Sequence, residues 1–183
     1  MVLLLKRPRA LLVLAAMVPI VYLASPANIQ QRLRASLDLT DDNTRNRIEL
    51  AGTALRLIQA HPWIGVGQRV STEALHYRGT STFPDWMYIH LHNNFLQIAA
   101  ERGAPGLFLW LWLMVQLARQ AYRISLRSGD DDELSLATTA AVGSIVALLV
   151  AGLFEYNFGD SEVLMVFLFT VSAPHAIKAV HAA

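Results

Sequence analysis

Apolar residues in this chain are concentrated in long uncharged blocks, which polar segments separate. One block fills most of residues 1–27, and others begin near Gly103, Leu134 and Val163. An uncharged apolar run of about 20 residues is long enough to cross the hydrocarbon core of a bilayer as a helix. The pattern therefore predicts an all-α membrane protein with about four transmembrane helices.

The polar segments divide the chain into seven predicted parts. A signal peptide is the alternative for the first block, but Pro26 fits poorly into its cleavage site, and the later blocks need a membrane in any case. In chain order, the parts are a first transmembrane helix at 1–27, a long loop with an amphipathic helix at 28–90, a motif helix with the second transmembrane helix at 91–125, a short loop at 126–133, a third transmembrane helix at 134–154, an acidic turn at 155–162, and a fourth transmembrane helix with a tail at 163–183.

Basic residues determine the predicted orientation. They lie before the first span, at the junction of the second and third spans, and after the fourth span. Four crossings put these three places on one side of the membrane, which the positive-inside rule makes the cytoplasmic side. The loop at 28–90 and the turn at 155–162 are then expected to face outward.

The overall composition narrows the possible functions. Hydrophobic residues make up 54% and charged residues 16% of the 183 residues, which is more apolar and less charged than soluble proteins usually are. A net charge of +1 gives no field that would recruit nucleic acid. The lack of cysteine excludes disulfides and cysteine metal sites, and the sequence has no phosphate-binding P-loop or dinucleotide fingerprint.

The predicted outward loop carries its positive charge only as arginine. Arginine offers a planar fork that matches phosphate and carboxylate oxygens, so a cluster beside a membrane suits a lipid-linked phosphate or diphosphate. The alternative is that individual arginines only solvate a helix face or pair with nearby carboxylates. Arg69 is a candidate anion-binding residue because it follows a glycine-rich turn, and the loop also contains Arg32, Arg34, Arg45, Arg47, Arg56 and Arg78.

His92 lies at the predicted start of a short apolar helix that Gly103 and Pro105 are expected to end. The positive end of the helix dipole favours a neutral ring there, and a neutral ring can accept a proton. A base of this kind beside an anion site suits the transfer of a phosphate-activated group to a hydroxyl. The alternative is a histidine with a purely structural role.

His90 and His92 also raise the question of a metal site. Side chains two positions apart on a helix point in different directions, and no cysteine or acidic ligand set lies close to them in the sequence. The sequence therefore predicts neither a metal nor another cofactor. The acidic residues of the turn at 155–162, beginning with Glu155, are expected to be solvated charges at the level of the lipid headgroups.

Two ordered motifs resemble a known family. His92-Asn93, nine residues, Gly103, two residues and Gly106 resembles the histidine motif of bacterial O-antigen ligases and Wzy-type O-antigen polymerases. Upstream, an arginine followed by an apolar helix and a Pro-x-x-Gly-x-Gly turn is similar to the outward loop of the same family. In this chain the second motif is Arg47-Ile48-Glu49-Leu50 followed by His61-Pro62-Trp63-Ile64-Gly65-Val66-Gly67.

The resemblance implies a multi-pass glycosyltransferase of the GT-C type in the bacterial inner membrane, active at the periplasmic face. It implies transfer of a glycan from undecaprenyl diphosphate to the lipid A-core, a growing glycan or a protein, without a nucleotide sugar. His92 would be the base or would orient the acceptor, Arg47 with Arg45 would hold the diphosphate, and Asn93 would position substrate. Arg69 is added on charge and position alone.

The chain also departs from the family pattern. Family members generally have around a dozen spans, so four predicted spans suggest the C-terminal portion of a GT-C-like protein. It would be a fragment, one half of a split gene, or a domain that needs a partner such as a missing N-terminal half. Arg47 is followed by a leucine three positions on, at Leu50, where some ligases have four. A protein O-oligosaccharyltransferase, a membrane transporter or accessory subunit, and an inactive remnant remain as alternatives.

Overall fold

The fold is known from a computed structural model, which describes residues 23–27, 30, 42–79, 84–127 and 131–181. The chain forms two compact units, Met1–Ile48 and Glu49–Ala183. No strand occurs in these described ranges, and the predicted all-α class is confirmed. The helices are α1 (Asp42–Ala60), α2 (Val70–Tyr77), α3 (Asn94–Arg127), α4 (Asp132–Ala151) and α5 (Ser161–His181), with short 3-10 helices at Gly67–Arg69 and Asp85–Tyr88.

Three of the described helices are long and apolar enough to cross a membrane. They contain the segments Asn94–Leu126, Asp132–Ala151 and Ser161–His181. Large apolar side chains such as Phe108, Trp112 and Phe169 are exposed on these helices, as expected for surfaces that contact lipid. The protein is therefore an all-α membrane protein. The first predicted span, at 1–27, lies outside the described residues except for 23–27.

The three long helices share one apolar core. α4 packs against both α3 and α5. Trp110 of α3 lies at the centre of an aromatic group, with edge-to-face contacts to Phe95 at 5.3 Å and to Phe158 at 5.5 Å between ring centroids. Phe158 belongs to the turn between α4 and α5, so this packing fixes that turn over the start of α3. The buried core residues are Ile98, Trp110, Met114, Ile145, Leu148, Phe167 and Val171.

A second apolar cluster holds the segment that precedes α3. Leu57 of α1 and Val70 of α2 pack with Leu91 and Ala100, and all four are buried. Burying each of the leucine and valine side chains stabilises the fold by about 1.5–3 kcal/mol. The residues immediately before α3 are therefore packed against α1 and α2 as well as attached to α3.

α3 bends at Gly103, where the backbone has φ 69° and ψ −178°. The sequence predicts that a helix ends here, and the structure agrees, because Gly103 is non-helical and a second helical segment follows it after a kink. A left-handed φ is readily available to glycine, and Pro105 occupies the first turn of the second half, where its missing N–H is least costly.

The kink exchanges one helical hydrogen bond for two bonds to the Pro-x-x-Gly-x-Gly turn. In a regular helix the N–H of Ala104 would donate to the carbonyl of Ala100. Here Ala104 donates to the carbonyl of Pro62 at 2.7 Å, and the carbonyl of Ala100 accepts from Val66 at 2.9 Å. The two motifs recognised in the sequence are therefore joined through their backbones.

Contacts between helix ends define the two ends of the helical bundle. The N–H of Asn94, at the start of α3, donates to the carbonyl of Gly152, just after α4. At the other end, His181 of α5 lies 2.9 Å from Asp131, just before α4. The segment before α3 and the turn between α4 and α5 thus share one end of the bundle.

Candidate functional site

The candidate site begins with the backbone of His92, which has φ 47°. A positive φ is uncommon outside glycine, and such strain is found disproportionately at functional sites. This conformation places the rings of His90 and His92 on the same side, with their centroids 4.1 Å apart. The N–H of His92 also lies 3.4 Å from Nδ1 of His90. His90 and His92, which are two positions apart in the sequence, therefore form a pair of neighbouring imidazole rings.

Glu155 completes the group from the turn between α4 and α5. Its Oε1 and Oε2 lie 2.9 Å and 3.1 Å from Nδ1 of His92, and Oε1 lies 3.7 Å from Nδ1 of His90. From the sequence, Glu155 is expected to be a solvated charge, whereas in the structure its carboxylate is the partner of the His90 and His92 rings. A carboxylate on Nδ1 fixes the ring orientation and favours the tautomer that has its lone pair on Nε2.

The ionisation of these groups reflects their surroundings. Partial burial by itself raises the pKa of Glu155, but hydrogen bonds from His92 and from the Tyr156 N–H, with the charges of the two histidines, bring it below its ordinary value. Partial burial and the charge of His92 lower the pKa of His90, although Glu155 and Asp160 oppose this shift. At neutral pH the site therefore contains an ionised carboxylate beside a neutral His90.

Asn94 ties the start of α3 to the turn that carries Glu155. Its side chain is fully buried, its Nδ2 donates to Oδ1 of Asn157 at 2.7 Å, and its Oδ1 accepts from the N–H of Phe158 at 3.0 Å. These two bonds use the oxygen and one of the two N–H groups of the side-chain amide, and the backbone N–H of Asn94 adds a third bond, to the carbonyl of Gly152. These bonds hold Glu155 opposite His92.

Asn93 has both ends of its amide bonded to the backbone. Its Oδ1 accepts from the N–H of Leu96, which caps the N-terminus of α3. Its Nδ2 donates to the carbonyl of Leu153, just before Glu155. Asn93 therefore supports the geometry of the site, and its predicted role in substrate binding stays a prediction.

A cavity of about 670 Å³ opens beside His90 and Glu155, which are among its lining residues, whereas His92 is not. It is in the size range of small-molecule sites. Its charged lining has more acidic than basic groups, and its aromatic wall is Tyr156, whose pKa is raised by partial burial and by the charge of Glu101. Lining residues that matter for the chemistry are His90, Gln97, Glu101, Arg102, Glu155 and Asp160.

The predicted arginines differ in their surroundings. Arg69 is exposed in the second unit and pairs with Glu73 at 3.5 Å, one helical turn on. Arg45 and Arg47 are exposed residues of α1 in the first unit. The binding of a diphosphate by Arg45, Arg47 and Arg69 stays a prediction. Arg56 is engaged structurally, because it donates to the carbonyl of Tyr77 at 2.7 Å.

Glu155 and Arg102 belong to the candidate site but are not predicted as site residues from the sequence. Glu155 is 63 positions from His92, and no local pattern links them. Arg102 lines the cavity and lies within the histidine motif, so its position next to Gly103 was a usable signal. The structure changes the premises of the argument against a metal site: His90 and His92 precede the helix, and Glu155, 63 positions away in the sequence, supplies a carboxylate oxygen within 4.8 Å of a nitrogen of each ring.

Comparison with known proteins supports the resemblance read from the two motifs. A protein-family model described as O-antigen ligase matches residues 1–111. This stretch is more than half of the chain and contains both motifs, whereas Glu155 lies beyond it. No curated protein sequence matches the chain.

Proposed function

Because the chain belongs to the O-antigen ligase family, we propose that it is a membrane glycosyltransferase using an undecaprenyl-diphosphate-linked glycan. The glycan is transferred to an acceptor hydroxyl at the periplasmic face of the bacterial inner membrane. The observation that carries this proposal is the bond between His92 Nδ1 and the Glu155 carboxylate, next to a cavity that Glu155 and His90 line. This pair has the composition of a general base with its orienting group.

His92 is the proposed base. Glu155 accepts the Nδ1–H, so the Nε2 lone pair is available to the acceptor. The acceptor oxygen attacks the anomeric carbon of the glycan while its proton passes to Nε2. The bond between that carbon and the diphosphate oxygen breaks, and its electron pair leaves with undecaprenyl diphosphate. One proton and one glycosyl group are moved, and no oxidant or reductant is required.

The charge around the cavity favours sugar hydroxyls over diphosphate as its occupant. Glu101, Glu155 and Asp160 contribute negative charge, against one positive charge from Arg102. Carboxylate and amide oxygens accept hydrogen bonds from hydroxyl groups, and they repel phosphate. The proposed occupant of the cavity is therefore the acceptor sugar of a lipid A-core or a growing glycan.

Arginines of the preceding loop are proposed to hold the leaving diphosphate. Arg47 and Arg45 take this role from the family resemblance, and Arg69 takes it from its exposed position. Bidentate contacts from guanidinium groups would stabilise the charge that develops on the diphosphate as the glycosidic bond breaks.

A reconstituted transfer assay tests the proposal. The full chain in phospholipid nanodiscs receives an undecaprenyl-diphosphate-linked glycan and a lipid A-core acceptor, and glycosylated acceptor is measured. His92→Ala is expected to lower the rate by about 10²–10⁴-fold while binding of the carrier lipid is kept.

The matched control is His76→Ala, an exposed histidine of α2 in the same unit. It should leave transfer unchanged. Transfer by His92→Ala at the wild-type rate would remove His92 from the mechanism. A wild-type chain that transfers nothing to lipid A-core, to glycan or to a peptide acceptor, either alone or together with the N-terminal portion of a family member, would contradict the activity itself.

A further inference from the structure

His90, His92 and Glu155 have the spacing of a metal-ligand set. One donor atom from each lies within 4.8 Å of the other two. Oε1 of Glu155 is 2.9 Å from Nδ1 of His92 and 3.7 Å from Nδ1 of His90. In a tetrahedral zinc site, metal–ligand distances of about 2.0–2.2 Å put neighbouring ligand atoms about 3.4 Å apart. The two observed distances bracket that value, and the third pair of donor atoms lies within 4.8 Å, so an ion would be bound after the two rings close around it.

The backbone explains why two histidines in a His-x-His sequence converge. A regular helix would direct them apart, and a strand would place their rings on one face with wider spacing. With the left-handed φ of His92, its ring instead lies beside that of His90, with the two ring planes tilted by 58°. Leu91, between them, is buried in the apolar cluster with α1 and α2, which holds this conformation in place.

The donor set and its access favour a particular class of ion. Two imidazole nitrogens with one carboxylate oxygen suit Zn²⁺ and related divalent transition metals rather than Mg²⁺ or Ca²⁺. The side chains of His90, His92 and Glu155 are 34%, 29% and 45% exposed. His90 and Glu155 also line the cavity, so an ion has an entry path and room for a water as fourth ligand.

We propose that His90, His92 and Glu155 bind one divalent transition-metal ion of the Zn²⁺ type, and that the bound ion inhibits glycan transfer. An ion on Nδ1 of His92 takes the place of the proton that Glu155 accepts. The neutral ring then carries its remaining proton on Nε2 and cannot accept another there. Binding stands on the geometry alone, whereas inhibition rests on the proposed role of His92.

Direct binding is measured first. Purified full chain in detergent micelles is freed of metal with a chelator and titrated with Zn²⁺ by calorimetry, and with Co²⁺ by visible absorption. One ion per chain is expected, with the intense absorption of four-coordinate Co²⁺. His90→Ala and Glu155→Gln should each weaken binding by at least about tenfold, since even partners outside the ligand shell contribute about 10–100-fold.

Two variants exclude other histidine sites. His76 lies 3.8 Å from Glu73, and His181 lies near Asp131 and Glu133. His76→Ala and His181→Ala should bind as the wild type does. Circular dichroism and thermal unfolding verify that every variant is folded. Equal binding by wild type, His90→Ala and Glu155→Gln would overturn the proposal, as would loss of binding only in His181→Ala.

Inhibition is measured separately in the transfer assay. Zn²⁺ should lower wild-type transfer reversibly, with recovery on chelation, and His90→Ala should need at least about tenfold more Zn²⁺ for the same fractional loss of its own rate. Zn²⁺ binding without inhibition would contradict the role of His92 in transfer and leave the metal site standing. Transfer that depends on His92, in a chain that binds no ion, would overturn the metal site alone.

Discussion

Asn94 and Gly152 are in direct contact at the point where α3 begins and α4 ends. The N–H of Asn94 donates to the Gly152 carbonyl at 2.7 Å, and the Asn94 side chain fills the space where a side chain on Gly152 would begin. Three residues after Gly152 comes Glu155, and two residues before Asn94 comes His92. The contact therefore sets the distance between the two groups on which the proposed chemistry depends.

Gly152→Ala is expected to destabilise the protein and to slow transfer. A methyl group at this position would collide with the amide nitrogen of Asn94 and approach the carbonyl of Leu148. Overpacking of this kind costs about 1–3 kcal/mol, and relief of the collision would move Glu155 away from His92. Thermal unfolding in detergent and the transfer rate measure the two effects.

Gly143→Ala is the matched control on the same helix. A methyl group at Gly143 meets no atom of the described residues within 4 Å, and alanine is a better helix former than glycine by up to about 1 kcal/mol. This variant should unfold at the same or a higher temperature and keep its activity. Equal effects of the two substitutions would contradict the argument from close contact.

Substitutions at Gly65 and Gly67 distinguish the cost of an unfavourable backbone conformation from the cost of lost packing against the kink in α3. Both have a left-handed φ, of 70° and 68°. A methyl group on Gly65 would collide with the carbonyls of Ala100 and Glu101. A methyl group on Gly67 has no atom of the described residues within 4 Å. Gly67→Ala should cost about 1–2 kcal/mol from conformation alone, and Gly65→Ala about 2–5 kcal/mol with the collision added.

The comparison of these two variants is made by thermal or denaturant unfolding in one detergent. Gly65→Ala should also loosen the bond from Val66 to Ala100, because the turn must move away from α3. Faster hydrogen exchange at the Val66 amide would report this directly. A cost for Gly67→Ala as large as that for Gly65→Ala would mean that the turn is not packed against the kink.

Three described helices of membrane-spanning length lie where the sequence predicts the second, third and fourth spans, because the signal for such helices is local. A run of apolar residues such as the one in α4 determines a membrane helix wherever it occurs. Gly103 and Pro105 likewise marked the irregular point in α3. What they could not indicate is the partner of the freed backbone groups, since Pro62 and Val66 reach the kink only in the folded chain.

Only the part of the candidate site that lies within the histidine motif could be predicted from the sequence. His92 and Asn93 were found because a spaced pattern contains them. Glu155 was missed because its position depends on how α4 and α5 pack, and because an acidic residue at the end of a span is usually solvated. The left-handed φ of His92 has no sequence signal either, since histidine is not a residue that requires it.

Glu155→Gln is expected to reduce kcat with little change in KM. Glutamine can still approach Nδ1 of His92, but it carries no charge and can present its amide N–H, which favours the wrong tautomer. Losses of up to about 10⁴-fold accompany an equivalent exchange in serine proteases, and about 10²–10⁴-fold is expected here. Steady-state transfer kinetics over a range of acceptor concentrations separate the two constants.

The control for this variant is Glu162→Gln, an exposed acidic residue at the start of α5. It removes the same charge from the same end of the bundle without touching His92, so both constants should be unchanged. If Glu155→Gln raises KM and spares kcat, Glu155 binds substrate and does not orient the base.

Asp131 at the other end of the bundle predicts a pH effect on stability. Its Oδ1 accepts from the Leu134 N–H at 2.9 Å and its Oδ2 lies 2.9 Å from Nδ1 of His181. The hydrogen bond from Leu134, followed by the interaction with His181, lowers the pKa of Asp131 below its ordinary value of 3.8. A lowered pKa means that the ionised group stabilises the folded state.

That stabilisation is present above pH 3.8, the pKa of the unfolded chain, and disappears as the pH falls through the lower pKa of the folded chain. Asp131→Asn keeps a side-chain oxygen for the helix N-terminus and removes the charge. The wild type should therefore unfold at a higher temperature than Asp131→Asn at pH 7, and the difference should shrink below pH 3.8. Because other carboxylates titrate alike in both proteins, the difference between their unfolding temperatures isolates Asp131. A difference that stays constant from pH 7 to pH 3 would show that the charge of Asp131 contributes nothing.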